Sequence, residues 1–150
     1  MVAVKTIGRV RTQASEEDIK RGRSSIVSKI VIDRRYVDGL RGLDGYSHIY
    51  VIYWMHRRAG RRAELLVRPR GRADLPEVGV FATRSPSRPN PIALTVVELL
   101  KIDGNVLKVR GLDALDMSPV LDIKPYDYYD VIQGIRVPGW FERIWAERRD

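Results

Sequence analysis

An all-β fold, a sheet closed into a barrel or folded into a sandwich, is what this sequence predicts, and three features predict it. Apolar and polar residues alternate at a period of two in segment after segment along the chain. Asp103-Gly104-Asn105 forms a tight hairpin signal between two long apolar runs, because Gly and Asn tolerate positive φ. No long helical stretch separates the strand candidates, which removes the crossovers a parallel sheet needs.

Taken in order, VKTIGRVRT (4–12) reads as the first strand. SEEDIKRG follows as a short helix, with Ser15 placed to cap acidic residues in its first turn. SKIVIDRRY (28–36), HIYVIYWMH (48–56), AELLVRP (63–69) and VGVFATR (78–84) read as further strands. The run from Ile92 to Leu115 then supplies a hairpin, and Val120, Leu121 and Ile123 return to strand with Asp122 inside it. WFERIWAERRD, after Pro138-Gly139, is a closing helix whose Trp140, Phe141 and Ile144 share an apolar face suited to docking.

With 150 residues the chain is read as one domain, 1–150, long enough to bury roughly 70% of its unfolded surface. Its 44% hydrophobic and 31% charged residues are the balance of a globular protein. Cysteine is absent, which excludes disulfides, thiolate catalysis and zinc ribbons, and the two histidines, His48 and His56, are too few for most imidazole metal sites. The start, MVAVKTIGRVRT, lacks the apolar core of a secretory leader, and no run approaches the ~20 apolar residues of a spanning helix, so a cytoplasmic address is expected. No metal is expected.

The formal net charge is +8, and 21 of the 27 basic residues are arginine. Such a field favours a polyanion, because guanidinium forks match phosphate oxygens and each contact releases counterions. Seven arginines crowd residues 57–72 around a single Glu64, and Arg61, Arg62, Arg68 and Arg70 are candidate phosphate contacts there. Residues 113–130 are acidic instead, which suggests a different task.

Two segments stand out chemically. In GVFATRSPSRPNPIALTVVELL, Pro86, Pro89 and Pro91 fix φ near about −65° and stiffen the loop before any ligand arrives. Arg84, Arg88 and Asn90 are thereby held in set directions, which lowers the ordering cost of binding. In LDMSPVLDIKPY, Asp116 to Pro119 should turn with backbone groups free to meet a ligand, and Asp122 is either a buried acid or half of a surface pair with Lys124. The nucleotide-loop, nucleophile-elbow and zincin signatures are all missing.

These two segments, in order after IGRVRT and GLRGLDGYSHIYVIYWMH, resemble the TsaA-like, or TrmO, family of S-adenosylmethionine-dependent tRNA adenine methyltransferases over residues 4–130. The resemblance implies a small β-barrel, distinct from the doubly wound methyltransferases, acting as a homodimer with the cofactor near the subunit boundary. It implies methyl transfer to the exocyclic amine of the adenosine 3′ of a tRNA anticodon, usually one bearing a threonylcarbamoyl group.

Residue by residue, the resemblance implies cofactor contacts at His56 and Arg57, Arg84, Leu94, and Asp116, Met117, Ser118 and Pro119. Ile19, Lys20 and Arg21 fall where bacterial members carry a Pro-Arg-Gln-like stretch. Met117 stands where the family has glycine and Ser118 where it has threonine; Ala93 replaces a glycine and Ser87 an aromatic residue, so a reshaped pocket is expected. Asn90 and Asp122 are the candidate acceptors for the amine hydrogens, Tyr126 a stacking surface, and Arg88 a further tRNA contact. A non-catalytic RNA-binding barrel, or a methyltransferase for another nucleoside, are the competing functions.

Overall fold

The computed structural model describes residues 1–148, and its centre is a closed antiparallel barrel. The strands are β1 (Gly8–Arg11), β2 (Val27–Ile32), β3 (His48–Trp54), β6 (Ile92–Asp103), β7 (Val106–Arg110) and β8 (Pro119–Pro125). They close in the order β1-β2-β7-β6-β3-β8, with β8 pairing back onto β1. Closure leaves no unpaired edge.

The period-two pattern settles which side chains go inside. Val10, Ile30, Ile32, Ile49, Val51, Tyr53, Val97, Leu107, Val109 and Val120 alternate inward and form one dry cluster. Gly8 is required where β1 meets β2: a Cβ there would lie 2.5 Å from the Val31 carbonyl oxygen. The hairpin between β6 and β7 turns at Gly104, φ 59, and the Asn105 side-chain amide donates to the Ile32 carbonyl at 2.7 Å.

Two expected strands shrink. AELLVRP and VGVFATR contribute only β4 (Leu66–Val67) and β5 (Val78–Gly79), a ribbon separate from the barrel, because prolines and glycines interrupt the ladder on both sides. The strand expected to run to Tyr36 stops at Ile32: Asp33 caps a 3-10 segment, Arg34–Leu40, by accepting from the Arg35 amide. The two short helices form as expected. In α1 (Glu16–Arg21) Ser15 and Asp18 make a reciprocal capping box. In α2 (Gly139–Glu147) Ile144 is buried and Trp140 half-buried, and Arg72 and Arg143 tie the helix region together through Asp74 and Glu147. Arg149 and Asp150, the end of the expected closing helix, lie outside the described residues.

Candidate active site at the barrel mouth

Antiparallel order sends three connections to the same end of the barrel: β1 to β2 through α1, β3 to β6 through residues 55–91, and β7 to β8 through residues 111–118. Side chains lace them together. Arg57 reaches Glu16 of α1 at 3.9 Å, Arg11 reaches Asp116 at 3.4 Å, and the Thr12 amide donates to the same Asp116 carboxylate at 3.0 Å. The Met55 amide donates to the Pro91 carbonyl, and Arg58 donates to the Ser87 hydroxyl at 2.7 Å. His56, Arg57, Arg84, Asn90 and Asp116 to Pro119 therefore share one mouth, although they are spread over the sequence.

The turn before β8 is built from its own hydrogen bonds. The Ser118 amide and hydroxyl both donate to the Leu115 carbonyl, the latter at 2.6 Å, so this hydroxyl is buried and committed to the turn. Met117 takes φ 68, the left-handed conformation that glycine adopts without strain. The expectation of free backbone groups fails at Met117: its amide donates to the Val10 carbonyl, and its carbonyl accepts from Arg9. What remains open to solvent is the Met117 side chain, 42% exposed, and the Asp116 carboxylate.

The proline loop is stiffened as expected, and by one residue more. The Arg88 guanidinium donates to the carbonyls of Thr83 and Ser85 at 3.0 and 2.9 Å, which makes it an internal brace where a tRNA contact was expected. Arg84 is exposed and has no ion-pair or hydrogen-bond partner among the described residues. Asn90 is exposed between its two prolines, its carbonyl accepting from the Ile92 amide at 2.7 Å. Lys20 and Arg21 sit on α1 in ion pairs with Glu16, Glu17 and Asp18, beside a half-buried Ile19.

Other candidates lie on the outer wall of the barrel, away from the mouth. Leu94, Ile52 and Asp122 are directly opposite one another across β6, β3 and β8 and face outward together. Asp122 is not the buried acid that its apolar neighbours suggested. Its side chain is 48% exposed and paired with Lys124 at 3.1 Å. A register shift between Ile52 and Tyr53 explains this: it lets Val120 and Ile123, three residues apart, both turn inward and leaves Asp122 outside. Tyr126 is further still, at the opposite end, packed edge-on to His48 and Tyr50 with ring centroids 6.4 and 5.6 Å away. His48 and His56 do not share a strand face either, because β3 ends at Trp54.

The arginine-rich stretch is not uniform. Arg58, Arg68 and Arg72 bond to Ser87, the Leu75 carbonyl, and Asp74 with Glu147, while Arg61, Arg62 and Arg70 are exposed without such partners among the described residues. The sequence reading missed one arrangement inside the mouth. Tyr53 and Thr95 both donate to one Asp113 carboxylate oxygen, at 3.0 and 2.6 Å. Burial first, then the neighbouring Asp113 charge, pushes the Tyr53 phenol well above its ordinary pKa, so it stays a donor. Only the polar Thr95 within the apolar run of residues 92–97 signalled this plug.

Known proteins resemble this arrangement in sequence and in fold. A probable S-adenosyl-L-methionine-binding protein of Methanothermobacter thermautotrophicus is 47% identical over 133 residues, 87% of this chain and 93% of that protein. A probable S-adenosyl-L-methionine-binding protein of Archaeoglobus fulgidus is 53% identical over 114 residues, 76% of this chain, yet this chain spans only 30% of its length. The tRNA (adenine(37)-N6)-methyltransferase of Escherichia coli is 41% identical over 93 residues, 59% of this chain and 40% of that enzyme. A crystal structure of TrmO from Pseudomonas aeruginosa superposes with a TM-score of 0.72 at 28% identity, covering 91% of this chain and 61% of that one. The model of the tRNA-methyltransferase O N-terminal domain matches residues 17–131. That match covers well over half the sequence and takes in nearly all of the mouth, so this chain belongs to the tRNA-methyltransferase O N-terminal domain family.

Proposed function

We propose that this chain transfers a methyl group from S-adenosylmethionine to the exocyclic amine of an adenosine in tRNA, the one 3′ of the anticodon and carrying a threonylcarbamoyl group. The observation that carries the reading is the convergence of α1, residues 55–58, residues 83–91 and the 115–118 turn on one mouth. The relatives' names support it, and so does the donor set. Arg84 offers a guanidinium for a carboxylate, Asp116 offers an acceptor for a cation, and the exposed Met117 offers an apolar surface.

When bound, the cofactor supplies an electrophilic methyl group. This chain must then fix the purine and accept a proton, because the amine lone pair is delocalised into the ring and gains most from in-line positioning. Asn90, exposed on a backbone set by Pro89 and Pro91, is the first acceptor, through its side-chain amide oxygen, since its backbone carbonyl already accepts from the Ile92 amide. Asp122 is the second acceptor, but one chain holds it on the outer wall.

A homodimer resolves this separation. The wall formed by Tyr50, Ile52, Trp54, Ile92, Leu94 and Val96 is apolar on a barrel's outside, with Leu94 53% exposed. A second copy covering that wall would bring Leu94, Asp122 and Tyr126 into a site completed by the other mouth. A cytoplasmic place of action is part of this reading. Among the described residues no helix is long and apolar enough to cross a membrane.

The test is incubation of the purified chain with methyl-labelled S-adenosylmethionine and either unmodified or threonylcarbamoylated tRNA, followed by digestion to nucleosides. Label in the N6-methylated nucleoside of the modified tRNA is expected, and sedimentation at about twice the 17.2 kDa chain mass. No labelled nucleoside from either tRNA would overturn the reaction, and a monomer the shared site.

A further inference from the structure

We propose that a second site, the cleft between α2 and the 3-10 turn Val80–Ala82, takes a single-stranded nucleotide of the RNA, its base on an aromatic platform and its phosphates on arginine. The cleft has a volume of about 860 Å³, and among its walls are Arg70, Phe81, Arg84, Trp140, Phe141 and Ile144. This is within the range of roughly 300–1,000 Å³ usual for small-ligand clefts. The proposal rests on the tRNA reading above and concerns a contact outside the reacting centre.

Three observations carry it. First, the cleft combines rings with cations in the manner of single-strand binders, where stacking holds any base and arginine follows the backbone. Phe81 is 76% exposed, and Trp140 and Phe141 meet edge to face with centroids 6.1 Å apart. Trp145 on the same helix is no such platform, because Arg148 already covers its ring at 3.5 Å.

Second, the cations differ from their neighbours. Arg68 and Arg72 are held by the Leu75 carbonyl and by carboxylates, whereas Arg70 has no such partner among the described residues; Arg84 also lines the cleft but is the guanidinium offered to the cofactor above, so the site rests on Arg70. Third, Arg70 sits at φ 55, a strained conformation for a side-chain-bearing residue. Strain of this kind persists where surrounding structure imposes it, often at ligand contacts. Part of the wall belongs to α2, which lies beyond the family match at residue 131.

Binding of a fluorescent, unmodified anticodon stem–loop RNA, and of a blunt duplex with the same stem, tests this by anisotropy on the full chain. Phe81→Ala should weaken the stem–loop about tenfold and leave the duplex nearly unchanged. Arg70→Gly, which keeps the turn geometry, should weaken it several-fold and lower the salt slope by about one unit. Titration with S-adenosylhomocysteine should be the same for both variants and the parent. Stem–loop affinity within twofold of the parent in both variants overturns the cleft site while leaving the tRNA reading intact. A matching loss of S-adenosylhomocysteine affinity overturns it too, assigning the cleft to the cofactor. Failure of the parent itself to bind the stem–loop, either unmodified or threonylcarbamoylated, overturns the tRNA reading and this site with it.

Discussion

The barrel and the ribbon-and-helix unit on its flank are held together by different forces. In the barrel every strand pairs on both sides, and Val10, Ile30, Ile49, Val51, Leu107, Val109 and Val120 are fully buried together. In the flanking unit, residues 66–86 with α2, the strands are two residues long, 3-10 turns replace ladders, and burial is confined to a few residues such as Pro69, Leu75, Val80 and Ile144. Its main tether is a surface network, Arg72 and Arg143 with Asp74 and Glu147, of the kind worth little per pair and screened by salt. The lesson is one of hierarchy: a rigid closed sheet fixes the mouth, while the exposed rings and the unpaired Arg70 sit in a unit that opens at lower cost.

The largest expected effect separates the two regions directly. Ile30→Ala removes a side chain from the centre of the barrel and should cost about 2–5 kcal/mol of global stability. Ile144→Ala removes an equally large buried side chain from α2, yet it should shift the global denaturation midpoint far less and raise amide exchange selectively in 69–86 and 139–147. Equal losses of global stability in both variants would show one cooperative unit and cancel the distinction.

Titration offers a sharper contrast, of smaller size. Tyr53 has its pKa raised by burial, so the folded state keeps a proton that an unfolded tyrosine releases near about pH 10. Its stabilisation is therefore intact below about pH 10 and is lost as pH rises beyond it. Tyr53→Phe should cost about 1–2 kcal/mol at neutral pH, because the Asp113 carboxylate loses a donor, and should flatten the alkaline decline measured by denaturant unfolding. The flanking unit responds at the other extreme. Its hydrogen bond to Arg72 lowers Asp74 to about 2, and Glu147 is lowered for the same reason. That contribution is present above the ordinary carboxylate range and fades as pH falls towards about 2. Alkali should thus loosen the barrel first and acid the tether.

Much of the barrel was legible because a closed sheet with a dry interior imposes strict alternation, and alternation is written in the sequence. The mouth was legible through its prolines and through the turn at Asp116 to Pro119, although the bonds that tie the Met117 backbone to Val10 and Arg9 were not. Position across the sheet was not. Asp122 reads either as a buried acid or as half of a surface pair with Lys124, and only the register shift opposite Ile52 and Tyr53 decides for the surface pair. Tyr126 is the last residue of the motif, yet strand direction carries it to the far end of the barrel. The role of Arg88 was hidden for a similar reason, since a guanidinium that braces its own loop has the same sequence signature as one awaiting phosphate.

The smallest expected effect compares the two residues other than glycine held at positive φ, one in each region: Met117 at the mouth and Arg70 in the flanking unit. Left-handed backbone costs roughly 1–2 kcal/mol for a residue with a Cβ, and glycine returns part of that gain through its greater freedom in the unfolded chain. Met117→Gly should therefore raise global stability by about 0.5–1 kcal/mol, since the turn is locked to β1 through the Val10 carbonyl and unfolds with the barrel. Arg70→Gly relieves comparable strain where opening is local, so the gain should appear as slower amide exchange near residues 69–72, with the global midpoint nearly unmoved. A stabilisation of the whole molecule by both substitutions would mean that the flanking unit is as firmly coupled to the barrel as the mouth turn, and that its rings and cations are presented on a rigid surface.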